Sequence, residues 1–370
     1  MFPPYFSGRK REIEAFEMKL NALEDGTAQH MAIIGEWAIG KTSLLRKFEE
    51  IAAGHGLLTY YCVARFRGGE MFSNIVSGIS AEIQREFGAG LLQKISKTVS
   101  LESLSLTLFG LKGELKFSSS DSAAFPFREY IVHAWNEIKD KKKGIVILID
   151  DLDTVEDFKE TMLALRAASM EVAQNARLMF VIAGAPVLFD KMYDAHAPLV
   201  RFFEPLQLSR LNNEEAKLAL TQPLKETGKK IDEGLVTRLL KLCSGHPYYI
   251  QEFGYYLVEV SKGTRITEGD LELGFRRALN DVAIKIFDKR LSEISKTQQK
   301  VLSVLTPKKA ISQKEIADLA GRAGVLSSTV RRNLRVLKEK GFLNQIDKGE
   351  DKGKYIAEDS LLIEYLGQIL

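Results

Sequence analysis

Two clusters in this sequence have the residue types and spacing for chemistry on a nucleotide. The first is Gly35-Glu36-Trp37-Ala38-Ile39-Gly40-Lys41-Thr42, followed by Ser43. In a GxxxxGK[ST] pattern the glycines let the backbone fold tightly, so that successive N–H groups point at phosphate oxygens. The next helix adds its positive N-terminus. Lys41 is placed to meet the β- and γ-phosphates, and the Thr42 hydroxyl to ligate Mg²⁺. The second cluster is Asp150-Asp151-Leu152-Asp153, which closes the apolar run Ile145 to Ile149. There Asp150 is expected to hold Mg²⁺ through its water shell, with Asp151 as base or orienting group for an attacking water. The other reading is that these acids cap the next helix. Together the clusters predict a site for ATP or ADP with Mg²⁺.

Such a loop needs a buried strand before it and a helix after it. Met31 to Ile34 is a short apolar run of the buried-strand kind, and Ser43 to Glu50 reads as a helix. Apolar residues Ile13, Phe16, Leu20 and Leu23 fall at helical spacing over 9–25. Further strands are expected at 57–63, 145–149, 178–183 and 206–208, with helices at 72–87, 126–140 and 158–174. Strands alternating with helices predict an α/β, three-layer domain on a mostly parallel sheet. Residues 101–117 alternate apolar and polar around Gly110 and Gly113, which predicts an inserted β-hairpin. It could line an oligomer interface or touch DNA, or be a decorated edge strand. Ser118 to Ser122 reads as a flexible link.

Composition narrows the class. The 370 residues suit two or three domains, and 45% hydrophobic content suits a packed core. The two cysteines, Cys62 and Cys243, show no CxxC spacing, and the five histidines show no ligand spacing. No disulfide framework and no structural zinc are expected. The first residues carry no apolar signal-type run. Leu178 to Phe189 is too short to span a bilayer, which needs about 20 residues. A cytoplasmic protein without a membrane partner is the expectation.

Charge is distributed unevenly. Lys and Arg number 14 against 9 Asp and Glu over 296–370, and 38 against 40 before it. After residue 210 the strand signals stop, and 212–280 reads as helical with breaks at Gly228, Gly245-His246-Pro247 and Gly263. Residues 297–306 then predict a helix, and Ser312 and Glu315 are spaced as a capping box for another. A third helix is expected from Ser327 to about 341, followed by short strands near 342–346 and 354–357. Helix-turn-helix plus a hairpin predicts a winged helix. Val330, Leu334 and Leu337 would face its core, leaving Arg331, Arg332, Arg335 and Lys338 outward, with Lys348 and Lys352 on the wing. Those cations suit double-stranded DNA. The same face also suits a protein-docking module. The expected domains are an ATPase domain over 1–208, a helical lid over 209–290 and the winged helix over 291–370.

The order of these motifs carries a resemblance. Phe6-Ser7-Gly8-Arg9-Lys10-Arg11-Glu12, the phosphate loop, the strand ending in Asp150-Asp151 and Gly245-His246-Pro247 occur in sequence. This resembles the predominantly archaeal ATPase family in the AAA+/STAND division of P-loop NTPases. It is similar in layout to origin-recognition initiators and transposition AAA+ regulators. The resemblance implies that Phe6 and Arg9 flank the adenine and that Pro247 is a lid proline packing on the nucleotide. It implies that Arg201 is an arginine finger reaching a neighbouring subunit, hence a homo-oligomer. The sequence departs from the pattern in two respects. The strand ending Ile182-Ala183-Gly184-Ala185-Pro186 lacks a polar sensor residue, and no clear lid sensor arginine is found. A slow ATPase that works as a DNA-binding switch is therefore expected, with a STAND-type signalling or defence ATPase docking a protein partner as the alternative.

Overall fold

Apolar strand residues that alternate between two faces can bury both sides of a sheet only if helices cover each side. That is the arrangement in the computed structural model of the chain, which describes residues 6–64, 68–98, 120–307 and 309–369. The strands are β1 (His30–Ile34), β2 (Leu58–Val63), β3 (Ile145–Asp150), β4 (Leu178–Gly184) and β5 (Phe203–Gln207). They form one sheet in the order β2-β3-β4-β1-β5, and every pairing is parallel. Ile145, Ile147, Ile149, Phe180 and Ile182 join Ala32 and Ile34 on one face. The helices Gly68–Phe87, Ser120–Ile138 and Phe158–Val172 cover it. Val146, Leu148, Met179, Val181, Met31 and Ile33 face the other way, under Lys10–Glu24 and Lys41–Gly54. There Phe16 and Phe48 stack with ring centroids 4.0 Å apart.

The parallel register aligns the C-terminal strand ends. Ile34 lies opposite Gly184 and Gln207, and Val63 lies opposite Asp150. The loop after β1 and the acids after β3 therefore emerge on the same edge, as ligand sites do in open α/β sheets.

Several boundaries differ from the sequence expectation. The helix expected at 126 begins at Ser120, so the polar residues 120–122 start a helix instead of a link; Ser and Asp favour helix N-termini as much as loops. A further helix, Ala89–Thr98, follows Gly68–Phe87. Strand β5 starts at Phe203, directly after the one-turn helix Leu199–Phe202 that holds Arg201. The hairpin expected at 101–117 lies outside the described residues.

The chain divides into two compact units, 1–209 and 210–370. In the second, the helices Asn213–Glu226, Glu233–Cys243, Pro247–Val260 and Glu268–Val282 pack together. Gly245 has φ +74°, and a Cβ there would meet the Leu211 carbonyl oxygen at 2.3 Å, so the turn before Pro247 requires glycine. The helices Lys296–Ser303, Gln313–Arg322 and Ser327–Glu339 follow, then an antiparallel pair β6 (Leu343–Gln345) and β7 (Tyr355–Ala357), then the helix Ser360–Ile369. Ile311 bridges to Tyr355 beside that pair. The capping box of Ser312 and Glu315 is formed. One buried cluster runs from Leu211 to Leu366 across position 290, where a lid was expected to end and a winged helix to begin. Within it the Tyr249 hydroxyl donates to Asp359 Oδ2 at 2.6 Å. No helix among the described residues is long and apolar enough to cross a membrane.

His30 opens β1 as a buried acceptor. Its Nδ1 takes the Phe180 N–H at 3.0 Å, and its ring lies 4.5 Å from that of Phe202. Burial, reinforced by the Lys19 charge, holds its pKa at about 4. The unfolded imidazole protonates near 6.5, so between these values only the unfolded chain takes up the proton. Stability from His30 is complete above about pH 6.5 and falls by up to about 3 kcal/mol as pH drops to 4. Both tryptophans, Trp37 and Trp135, lie in the first unit, so their fluorescence follows its unfolding in urea. His30→Asn, which keeps an acceptor, should flatten the slope of stability between pH 6.5 and 4.

Candidate nucleotide site

The loop Gly35–Thr42 joins β1 to the helix Lys41–Gly54 by a sharp turn. Ala38 and Gly40 have φ +58° and +99°. The Gly35 N–H bonds the Gly184 carbonyl at 3.3 Å, and a Cβ on Gly35 would meet Ile39 Cγ2 at 2.7 Å. Ile39 is buried, whereas Glu36 and Trp37 are exposed, and Ser43 is half-buried in the first turn of the helix. The Lys41 ammonium donates to the carbonyls of Gly35 and Glu36, both at 2.9 Å. Burial lowers its pKa, while Asp150, Asp151, Asp153 and Glu36 oppose that shift.

The two motifs meet. Thr42 Oγ1 donates to Asp150 Oδ2 at 2.5 Å, across 108 residues of sequence. Asp150 is 1% exposed, and its Oδ1 accepts the Asp151 N–H at 3.0 Å. Tyr61 on β2 adds a third donor, its hydroxyl 3.1 Å from Asp150 Oδ2. Burial raises the Tyr61 pKa, followed by the charge and hydrogen bond of Asp150. A hydroxyl and a carboxylate side by side beneath a phosphate-binding loop are hard oxygen donors that fit Mg²⁺. Thr42 and Asp150 would hold the ion, directly or through water, and it would neutralise phosphate charge. Asp151 is exposed and adopts φ +54°, and its carbonyl accepts the Thr154 hydroxyl at 2.7 Å.

Arg9 reaches the loop from the side. It is 4% exposed, and its guanidinium donates to the Ile39 carbonyl at 2.9 Å and to the Ser209 carbonyl at 2.6 Å. Ser209 is the last residue of the first unit. A φ of +63° at Arg9 aims the side chain inward, in a region that is costly for a residue other than glycine. Phe6 packs against the core on the side of the Lys41–Gly54 helix. These contacts tie the N-terminal segment to the loop.

The strand end where a sensor was sought is occupied by glycine, and the Asp153 side chain packs against it. A Cβ on Gly184 would meet Asp153 Oδ1 at 2.4 Å, and the same oxygen accepts the Ala185 N–H at 2.9 Å. Arg201 is exposed at the N-terminal edge of β5, where Phe203 pairs with His30. Five residues of strand, about 17 Å, separate that edge from the edge bearing the loop. Arg201 therefore lies at the opposite edge of the sheet from the loop Gly35–Thr42. Pro247 belongs to the second unit, at the first position of its helix. So do the basic residues: Arg331, Arg332, Arg335 and Lys338 are exposed on the helix Ser327–Glu339, while Val330, Leu334 and Leu337 are buried. Arg335 Nε donates to Glu339 at 2.8 Å. Lys348 and Lys352 are exposed between β6 and β7.

Sequence reasoning missed Tyr61, the Asp153 contact and the bonding role of Arg9. The one available signal was parity: Tyr61 shares a strand face with Thr59 and Val63, opposite to Leu58 and Cys62, which join the other core.

Residues 9–183 match the model described as the KAP family P-loop domain, so this stretch is a P-loop NTPase domain. This agrees with the P-loop NTPase part of the resemblance read from the order of motifs. No curated protein matches the chain. Among solved structures it is similar to the Walker-type ATPase of Pyrococcus abyssi, at 15% identity over 98% of this chain and 96% of that one, TM-score 0.61. It is similar to the ORC2 protein of Aeropyrum pernix, solved as ADPNP–ADP complexes, at 14% identity over 100% and 96%, TM-score 0.51. It is also similar to Cdc6p of Pyrobaculum aerophilum, at 13% over 100% and 96%, TM-score 0.50. At such identities the likeness is one of fold: a P-loop ATPase fold of the ORC/Cdc6 type.

The Arg9 fork is open to test. Arg9→Lys keeps the charge but cannot bond two carbonyls in a fixed fork. It should lower the stability of the first unit by about 1–3 kcal/mol, read from tryptophan fluorescence in urea.

Proposed function

We propose that the chain is an ATP-driven switch of the AAA+/STAND kind. In this reading it hydrolyses ATP slowly to ADP and phosphate, and it binds double-stranded DNA through a C-terminal winged helix. The observation that carries the DNA part is the helix Ser327–Glu339. Its apolar stripe is buried, and four cations, Arg331, Arg332, Arg335 and Lys338, stand exposed on the same helix. The succession of three helices and the β6–β7 pair, with Ile311 bridging Tyr355, supports the winged-helix reading of 291–370. The helices of 209–290 are read as its companion lid, sharing one core with it. The ADPNP–ADP complexes of the similar ORC2 protein support ATP as the nucleotide.

Slow turnover is supported by Gly184, which offers no polar side chain at the strand end to sense a γ-phosphate. Asp151 is read as the group that orients the attacking water; it is exposed next to Asp150, and its charge acts on Lys41. Phe6 and Arg9 are read as lying on the adenine side. The exposure of Arg201 at the far sheet edge supports a role in a neighbouring copy, hence a homo-oligomer.

A second reading is favoured by the wing. Asp347, Glu350 and Asp351 offset Lys348, Lys352 and Lys354 there, and Lys354 pairs with Asp351 at 2.7 Å. Leu326 is 72% exposed at the start of the basic helix. A near-neutral wing and an exposed leucine suit a protein dock of a STAND-type signalling ATPase.

Fluorescence anisotropy with a short labelled duplex separates the two. The switch reading expects tighter binding with ATP than with ADP, and loss of that difference in Lys41→Ala. The double variant Arg331→Ala/Arg332→Ala should lower the slope of log affinity against log salt by about two. Absence of duplex binding in every nucleotide state would leave the protein-docking reading.

A further inference from the structure

A carboxylate at a strand end turns easily about its last torsion, which is broad and roughly two-fold. Asp150 does not have that freedom. Oδ1 is taken by the Asp151 N–H at 3.0 Å, and Oδ2 by Thr42 at 2.5 Å. Both partners belong to the two motifs. The third donor, Tyr61, belongs to neither. It comes from β2, which pairs with β3 so that Tyr61 lies opposite Leu148 and Val63 opposite Asp150. Its hydroxyl reaches Asp150 Oδ2 at 3.1 Å.

The Tyr61 ring is itself held. The Arg46 guanidinium lies over it, 3.4 Å from the centroid, and Arg46 is bonded to Glu49 at 2.8 Å. Arg46 stands one turn after Thr42 in the same helix. The helix that carries the phosphate loop thus touches Asp150 twice: directly through Thr42, and through Arg46 and the Tyr61 ring.

We propose that Tyr61 is a positioning residue for the Mg²⁺ site: its hydroxyl pins Asp150 Oδ2 beside Thr42, and Arg46 holds the ring in place for it. This rests on the reading of Thr42 and Asp150 as the Mg²⁺ groups of an ATP site. Tyr61 touches neither nucleotide nor ion in this scheme. It sets the carboxylate plane, so that the ion or its water shell meets an oriented acceptor instead of one that must be ordered on binding. A group that orients a metal-site carboxylate changes metal affinity more than it changes nucleotide affinity without metal.

The test is titration of the full chain with a fluorescent ATP analogue, N-methylanthraniloyl-ATP, in EDTA and across a Mg²⁺ series. For Tyr61→Phe the Mg²⁺ concentration giving half the metal-dependent gain in affinity should rise about tenfold. Affinity in EDTA should match that of the wild type. Arg46→Gln should shift the Mg²⁺ midpoint in the same direction by roughly threefold, and it carries the test if Tyr61→Phe fails to fold. On an Asp150→Asn background Tyr61→Phe should add no further shift. An unchanged Mg²⁺ midpoint in the single variants, or an equal loss in EDTA and Mg²⁺, would overturn the role of Tyr61. Wild-type chain that binds no analogue under either condition would overturn the underlying ATP reading, and with it this one.

Discussion

The bond from the Thr42 hydroxyl to the Asp150 carboxylate joins the start of the helix after the loop to the end of β3. Nothing in the chain between them makes that meeting local. It depends on the parallel register of β1, β4 and β3, which aligns three strand ends on one edge. That register depends in turn on two buried faces, each filled by alternate residues of the same strands. The strand between the two motif strands, β4, ends in a small residue. β4 ends in Gly184, whose carbonyl accepts the Gly35 N–H and whose missing side chain leaves room for Asp153. The strand end that lacks a polar sensor in the sequence is also closely packed, with the Asp153 carboxylate against Gly184.

Buried polar groups around the site are satisfied by fixed partners, which is what their desolvation requires. Arg9 offers its fork to two carbonyls, one in the phosphate loop and one at Ser209. Its left-handed backbone is a local cost that these bonds offset. The rigid parts of the nucleotide site are accordingly held from three directions: by the N-terminal segment through Arg9, by β4 through Gly184, and by β2 through Tyr61.

The second unit is organised by a different constraint. A single buried cluster binds the helices after Leu211 to the segment that ends in Leu366. The buried Asp359 accepts the Tyr249 hydroxyl and the backbone N–H groups of Leu361 and Leu362, so it caps the last helix and fastens it to the helix begun by Pro247. Buried residues on both sides of residue 290 belong to that one cluster. The exposed cations of Ser327–Glu339 stand on a helix whose apolar stripe belongs to that cluster.

Sequence alone was enough for the phosphate loop, for the strand that ends in Asp150, and for the alternation of strands and helices, because each is written in short-range spacing. The Ser312–Glu315 capping box and the buried stripe Val330, Leu334 and Leu337 were legible for the same reason. Contacts between residues distant in sequence were not. Strand order, the placement of Tyr61 on Asp150, the use of Arg9 as a fork and the lack of space at Gly184 leave no local pattern. The polar stretch at 120–122 was read wrongly because Ser and Asp begin helices as readily as they form links. Short-range chemistry determined which residues could hold a nucleotide; only the packing of the sheet decided which partners hold those residues still.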